Sequence, residues 1–228
     1  MKTISSGFFT KIIRIVWIAG IIGLSLVSYS LSAENQAAAP DAVLTEIDGY
    51  INELGPYIDG WPPNIKSKKE LNAVRTRLTK VLKYANRALG EDPDNLQLLC
   101  RVGELYRMGH NIDMPRAWTN SEKALKRALK LDSKMIEAWL TLGALYVNTG
   151  LENAKQAEEC FLTAQKLYGE KPLLRSHRGL FFAYCYQARM PQALEEANLV
   201  LKLTPDDPQM KKLRDIVQSQ IDKSSRPN

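Results

Sequence analysis

Between residues 136 and 172 the chain sets Trp139, Leu142, Gly143 and Tyr146 at W-x-x-L-G-x-x-Y spacing, then Ala157 and Phe161 at A-x-x-x-F spacing. Steps of three and four put Trp139, Leu142 and Tyr146 on one face of a helix. Gly143 leaves a bare spot on that face, where a second helix can approach. Asn148, Thr149 and Gly150 then stop the helix, with Gly150 expected in the left-handed conformation of a C-terminal cap. Ala157, Phe161 and Ala164 line the near face of the returning helix. Such a hairpin cannot bury its own apolar stripe, so it requires neighbours stacked against it.

Those neighbours are present. Leu99, Val102, Gly103 and Tyr106 fill the same first-helix slots 40 residues earlier, and Leu125 and Ala128 the second-helix slots. Leu180, Phe181 and Tyr184, with Ala193, Ala197, Val200 and Pro205, do so in 174–207. Phe181 stands where a small residue is usual, which predicts a wider hairpin there. Val81, Ala85, Ala88 and Pro93 match only the second half of a unit. On these residues the segment from 71 to 221 resembles the tetratricopeptide-repeat family. The resemblance implies an all-α fold: a right-handed superhelical stack of antiparallel helix hairpins, with a leading N-terminal helix and a C-terminal capping helix. The expected divisions are a leading helix and aromatic, proline-rich turn over 41–65, a degenerate hairpin unit over 66–95, and three repeat units over 96–135, 136–173 and 174–207. A capping helix over 208–222 and a disordered tail over 223–228 follow. Helix is expected over 41–54, ended by Gly55 and Pro56, and over 67–89.

Residues 1–33 place Lys2, Lys11 and Arg14 ahead of a charge-free run over 15–31, with the small residues Ser30, Ser32 and Ala33 around its end. That order is a secretory signal peptide's. The alternative is an uncleaved inner-membrane tether through residues 12–31, since seventeen helical residues cover about 25 Å. Either places the folded part in the periplasm or on the extracytoplasmic face of the membrane. Residues 34–40 form a linker. Beyond residue 33, 28 basic side chains face 25 acidic ones, a balance that argues against a nucleic-acid partner. Cys100, Cys160 and Cys185 make no C-x-x-C, and Cys160 with Cys185 is the pair best placed to bridge.

No Gly-rich phosphate loop, H-E-x-x-H or G-x-S-x-G is present, so the reading is a non-enzymatic protein with no cofactor and no metal. His177 has no nucleophile to work with. Two surfaces stand out. The resemblance implies an inner channel lined by the first helices, here Gln97, Cys100, Arg101, Glu104 and Arg107, then Glu137, Leu140, Thr141, Ala144, Val147 and Asn148, then Arg175, Arg178, Phe182, Cys185 and Tyr186. Arginine suits carboxylate, so the expected partner is a protein segment with apolar anchors and acidic groups. The second surface is the longer turn of the 96–135 unit. Gly103 to Ala128 is 25 residues against 21 from Gly143 to Ala164, and the excess gathers His110, Asn111, Asp113 and Trp118. It reads either as a binding loop or as a packed turn.

Overall fold

The computed structural model describes residues 40–60 and 62–224. The signal or tether segment, nearly all of the linker, Trp61 and the last four residues lie outside the described residues. Among the described residues nine α-helices run in order: α1 Pro40–Ile58, α2 Lys68–Glu91, α3 Leu96–His110, α4 Ala117–Leu131, α5 Ile136–Val147, α6 Ala154–Tyr168, α7 Leu174–Tyr186, α8 Met190–Leu203 and α9 Pro208–Ser224, with a short 3₁₀ turn at Gly150–Asn153. They pack in sequential pairs. No described helix is long and apolar enough to cross a membrane.

Helix starts follow local chemistry. Ser67 accepts from the Glu70 N–H (3.1 Å), and the Glu70 carboxylate takes the N–H of Lys66 (2.6 Å). Asn95 caps α3 through the Leu98 N–H, and Asp207 caps α9 through that of Met210. Each such cap is worth about 1 kcal/mol. Gly150 has φ +71°, the left-handed conformation expected after α5.

Close helix approach rests on glycine. A Cβ on Gly103 would lie 2.6 Å from Leu125, and one on Gly143 2.9 Å from the Phe161 ring. The same ring would come within 2.2 Å of a Cβ on Gly179, in the next hairpin. Phe161 is therefore a wedge between α5 and α7, and Gly179 is a contact that the repeat spacing did not single out. Buried serines stitch the same seams: Ser121 donates to the Gly103 carbonyl (2.7 Å) and Ser176 to that of Phe161 (2.6 Å).

Two expectations about the N-terminal half need correction. Residues 66–95 contain no hairpin, because Lys68–Glu91 is one unbroken helix, as the span expected over 67–89 had it, with no Gly or Pro before Gly90. Its neighbour is α1: Arg77 bonds Glu53 and lies 4.8 Å over the Tyr50 ring. Nor does α1 end at Gly55-Pro56; it runs to Ile58. Pro56 removes one bond of the last turn, while Leu54 and Ile58 are both buried, at about 1.5–3 kcal/mol each. Asn64 then takes up the freed carbonyls of Pro56 and Tyr57.

Candidate functional site

A groove of about 850 Å³ opens among the first helices of the pairs. Its floor comes from Leu140, Ala144, Val147 and Asn148 on α5. One side carries Arg101, Glu104 and Arg107 on α3, the other Arg175, Arg178, Phe182 and Tyr186 on α7. Thirteen of the sixteen side chains expected from the sequence, Cys100 and Glu137 among them, thus lie around one cavity. Thr141, expected with them, is instead completely buried, and Gln97 and Cys185 do not line the groove. The sequence reading also missed both end walls. Asp48, Ile51, Asn52, Gly55, Asp59 and Gly60 enter from the α1 side, and Gln209, Met210 and Leu213 from α9. Neither helix carries the repeat signature; the available signal was their apolar periodicity, which showed burial but not against what.

The electrostatics differ from the expectation. Arg101 is bound by both carboxylate oxygens of Asp48, at 2.7 and 3.0 Å. Arg107 bonds Glu104 through Nε (2.9 Å) and Nη2 (2.7 Å), and reaches the Asp59 carboxylate as well. Arg175 holds Glu137 at 2.8 Å, and Arg178 pairs with Asp207. Every groove arginine is therefore neutralised by a carboxylate of its own chain. The pairs are unequal: the Arg107 side chain is 4% exposed and that of Arg175 51%. Burial works against charge on Glu104, but the Arg107 guanidinium outweighs it and holds the carboxyl below its usual range. Burial likewise opposes the Arg107 charge, and Glu104 and Asp59 more than restore it.

The turn around His110 is shorter than its sequence excess suggests. Three residues extend α3 to His110, α4 starts at Ala117, and only 111–116 remain between them. Asn111 is buried and donates to the carbonyls of Ile58 (2.9 Å) and Asp59 (3.1 Å), while its Oδ1 accepts from Asn148 (2.7 Å). It bonds distant backbone rather than its own turn. Trp118 is half-buried, its ring centroid 6.3 Å from that of Tyr146. Asp113 is exposed with φ +56°. Burial lowers the His110 pKa against the pull of Asp113. The two form no site with Asn111, whose polar atoms point into the array.

Other chemistry-bearing groups are occupied or inert. His177 Nδ1 lies 2.7 Å from Glu196. Cys160 and Cys185, expected as the best-placed pair, are free thiols, as is Cys100. Burial pushes Cys100 and Cys160 up to about 12 and Cys185 to about 11, so thiolate is scarce at neutral pH. Among the described residues no three His, Cys, Asp or Glu side chains could hold a metal ion together.

The helix order and paired packing match the crystal structure of a thermophilic tetratricopeptide-repeat protein of Thermus thermophilus, at a TM-score of 0.52 and 17% identity, over 86% of this chain and 95% of that one. The fold is the tetratricopeptide-repeat fold. A variant O-GlcNAc transferase of Thermobaculum terrenum is similar over 72% of this chain and 27% of its own, with a TM-score of 0.48 and 20% identity. No protein-family model matches the sequence, and no curated protein matches it. Within the tetratricopeptide-repeat array, α1 with α2 forms the first pair, and α9 closes the last.

Proposed function

We propose that the chain is a non-enzymatic scaffold or assembly factor that takes a segment of a protein partner in its groove. The observation that carries this reading is the gathering of Leu140, Ala144, Val147, Phe182 and Tyr186 around one open cavity. A concave, largely apolar site with a few fixed polar groups is the usual form of a binding site. The tetratricopeptide-repeat fold supports a protein ligand by analogy, since one fold hosts many functions. An acidic group on the partner would have to displace a carboxylate of this chain. Arg175 is where that exchange costs least, its half-exposed pair being worth about 0–1 kcal/mol.

The charged start and the uncharged run over 15–31 support export to the cell envelope. If that run is retained, the second reading applies: a membrane-anchored subunit of a larger envelope complex. A pull-down from detergent-solubilised envelope, with Leu140→Arg and Phe182→Ser variants alongside, tests the groove. The same sample gives the first residue of the mature chain by mass spectrometry. A partner captured by the native chain and lost in both variants is the expected result, with an N-terminus near residue 34. A partner kept by both folded variants would move the site off the groove. A recovered Met1 would favour the anchored subunit.

A further inference from the structure

The groove's charge is closed within the chain, and that constrains what enters it. The side chains lining it comprise four arginines and four carboxylates, and Asp207 adds a fifth carboxylate beside them, so no lining arginine is left unpaired. All eight belong to the ion pairs described above, with Asp207 as the partner of Arg178. A charged side chain brought into this lining finds no free opposite charge, because every arginine is paired and every carboxylate is already held by an arginine. It loses water and must either stay unpaired or break a pair already made. An uncharged side chain meets Ile51, Leu140, Val147, Phe182 and Leu213 and gains from leaving water.

We propose that the segment bound in the groove is uncharged over the length it buries, and is recognised by aliphatic and aromatic side chains rather than by acidic or basic ones. This rests on the groove being the binding site. It replaces the expectation of an acidic partner, because the carboxylates that would answer the arginines are Asp48, Asp59, Glu104, Glu137 and Asp207 of the chain itself. The paired charges then act by exclusion: they reject charged competitors and contribute little attraction of their own. It follows that binding depends weakly on salt, because no counter-charge is screened when the complex forms.

The test uses the full chain in mild detergent, panned against a phage library of random 12-residue peptides. Leu140→Arg and Phe182→Ser variants, each checked for native helicity, serve for counter-selection. Peptides that need the groove are expected to share four or more consecutive uncharged residues, aliphatic or aromatic at two of them. Synthetic copies, followed by fluorescence anisotropy, should change Kd less than about 2-fold between 50 and 500 mM NaCl. A Glu or Lys placed within the apolar stretch should weaken binding about 10-fold or more. Groove-dependent peptides rich in Asp and Glu, or in Lys and Arg, would overturn the inference and leave the binding site standing. So would a Kd that rises 10-fold with salt. A library yielding no peptide that distinguishes the native chain from the two variants would overturn both.

Discussion

The hairpins α5–α6 and α7–α8 solve one packing problem with opposite assignments. In α5–α6 the first helix gives Gly143 and the second gives Phe161, whose ring lies where a Gly143 Cβ would fall. In α7–α8 the first helix gives Phe181 and the second gives Ala197, in the slots held by Gly143 and Phe161. Both Phe181 and Ala197 are buried. The larger side chain has changed helix, and Ala197 is small where Phe161 is large. What a repeat unit conserves physically is the combined volume at the contact, not the residue at either slot.

That comparison can be broken from either side. Phe181→Ala leaves a cavity and should cost about 3–5 kcal/mol by urea denaturation. Ala197→Phe alone overpacks α8, at about 1–3 kcal/mol. Joined with Phe181→Gly it recreates the α5–α6 arrangement, and the double variant should lose clearly less than the sum of its singles. Additive losses would refute the exchange. Gly179→Ala drives a methyl into the Phe161 ring and should cost about 1–3 kcal/mol, more than Gly143→Ala, because its clash is closer. Phe161→Leu should relieve part of both. Asn111→Ala takes the donor from the Ile58 carbonyl, while that of Asp59 keeps its bond from Arg107; it should cost about 1–3 kcal/mol and speed hydrogen exchange at the end of α1.

The smallest effect is one of pH. The N–H of Met210, helped by Arg178, holds the Asp207 carboxyl below its ordinary 3.8. A lowered native pKa means the carboxylate stabilises the fold fully above pH 3.8, and that this contribution is lost as the pH falls through the native value. Asp207→Asn keeps a capping side chain but loses the charge that meets Arg178, and should lower the melting temperature at pH 6 by the equivalent of about 0.3–1 kcal/mol. The gap to the native chain should narrow on acidification and close below both pKa values.

Much of this architecture was readable because it is written in local spacing. The three- and four-residue steps of Trp139, Leu142 and Tyr146, the stop at Gly150 and the polar-backed α9 each concern neighbours within two turns. The groove floor followed from the same slots. What the sequence concealed was non-local. Asp48 and Arg101 are 53 residues apart, Asp207 and Arg178 29, and no periodicity connects them. The arginines were therefore visible, and Glu104 and Glu137 with them, but not Asp48, Asp59 or Asp207. Gly179 was hidden for the same reason, since its demand for a bare backbone comes from a ring in the preceding hairpin. The degenerate hairpin expected over 66–95, although helix was expected over 67–89, reflects a different limit. An unbroken helix and a degenerate hairpin share one apolar period, and only the missing turn residues separate them.

The side chain of Asn111 reaches back 53 residues to Ile58 and forward 37 to Asn148. A ribosome delivers those three positions in sequence, tens of residues apart. The bond to Ile58 has its donor only once residue 111 has emerged, and the full bridge must await the end of α5. Until then the first helix lacks its anchor, while its apolar face, Ile47, Leu54 and Ile58, is already made. For a nascent chain this is an interval of exposure, set by the distance along the chain between one amide and its two partners.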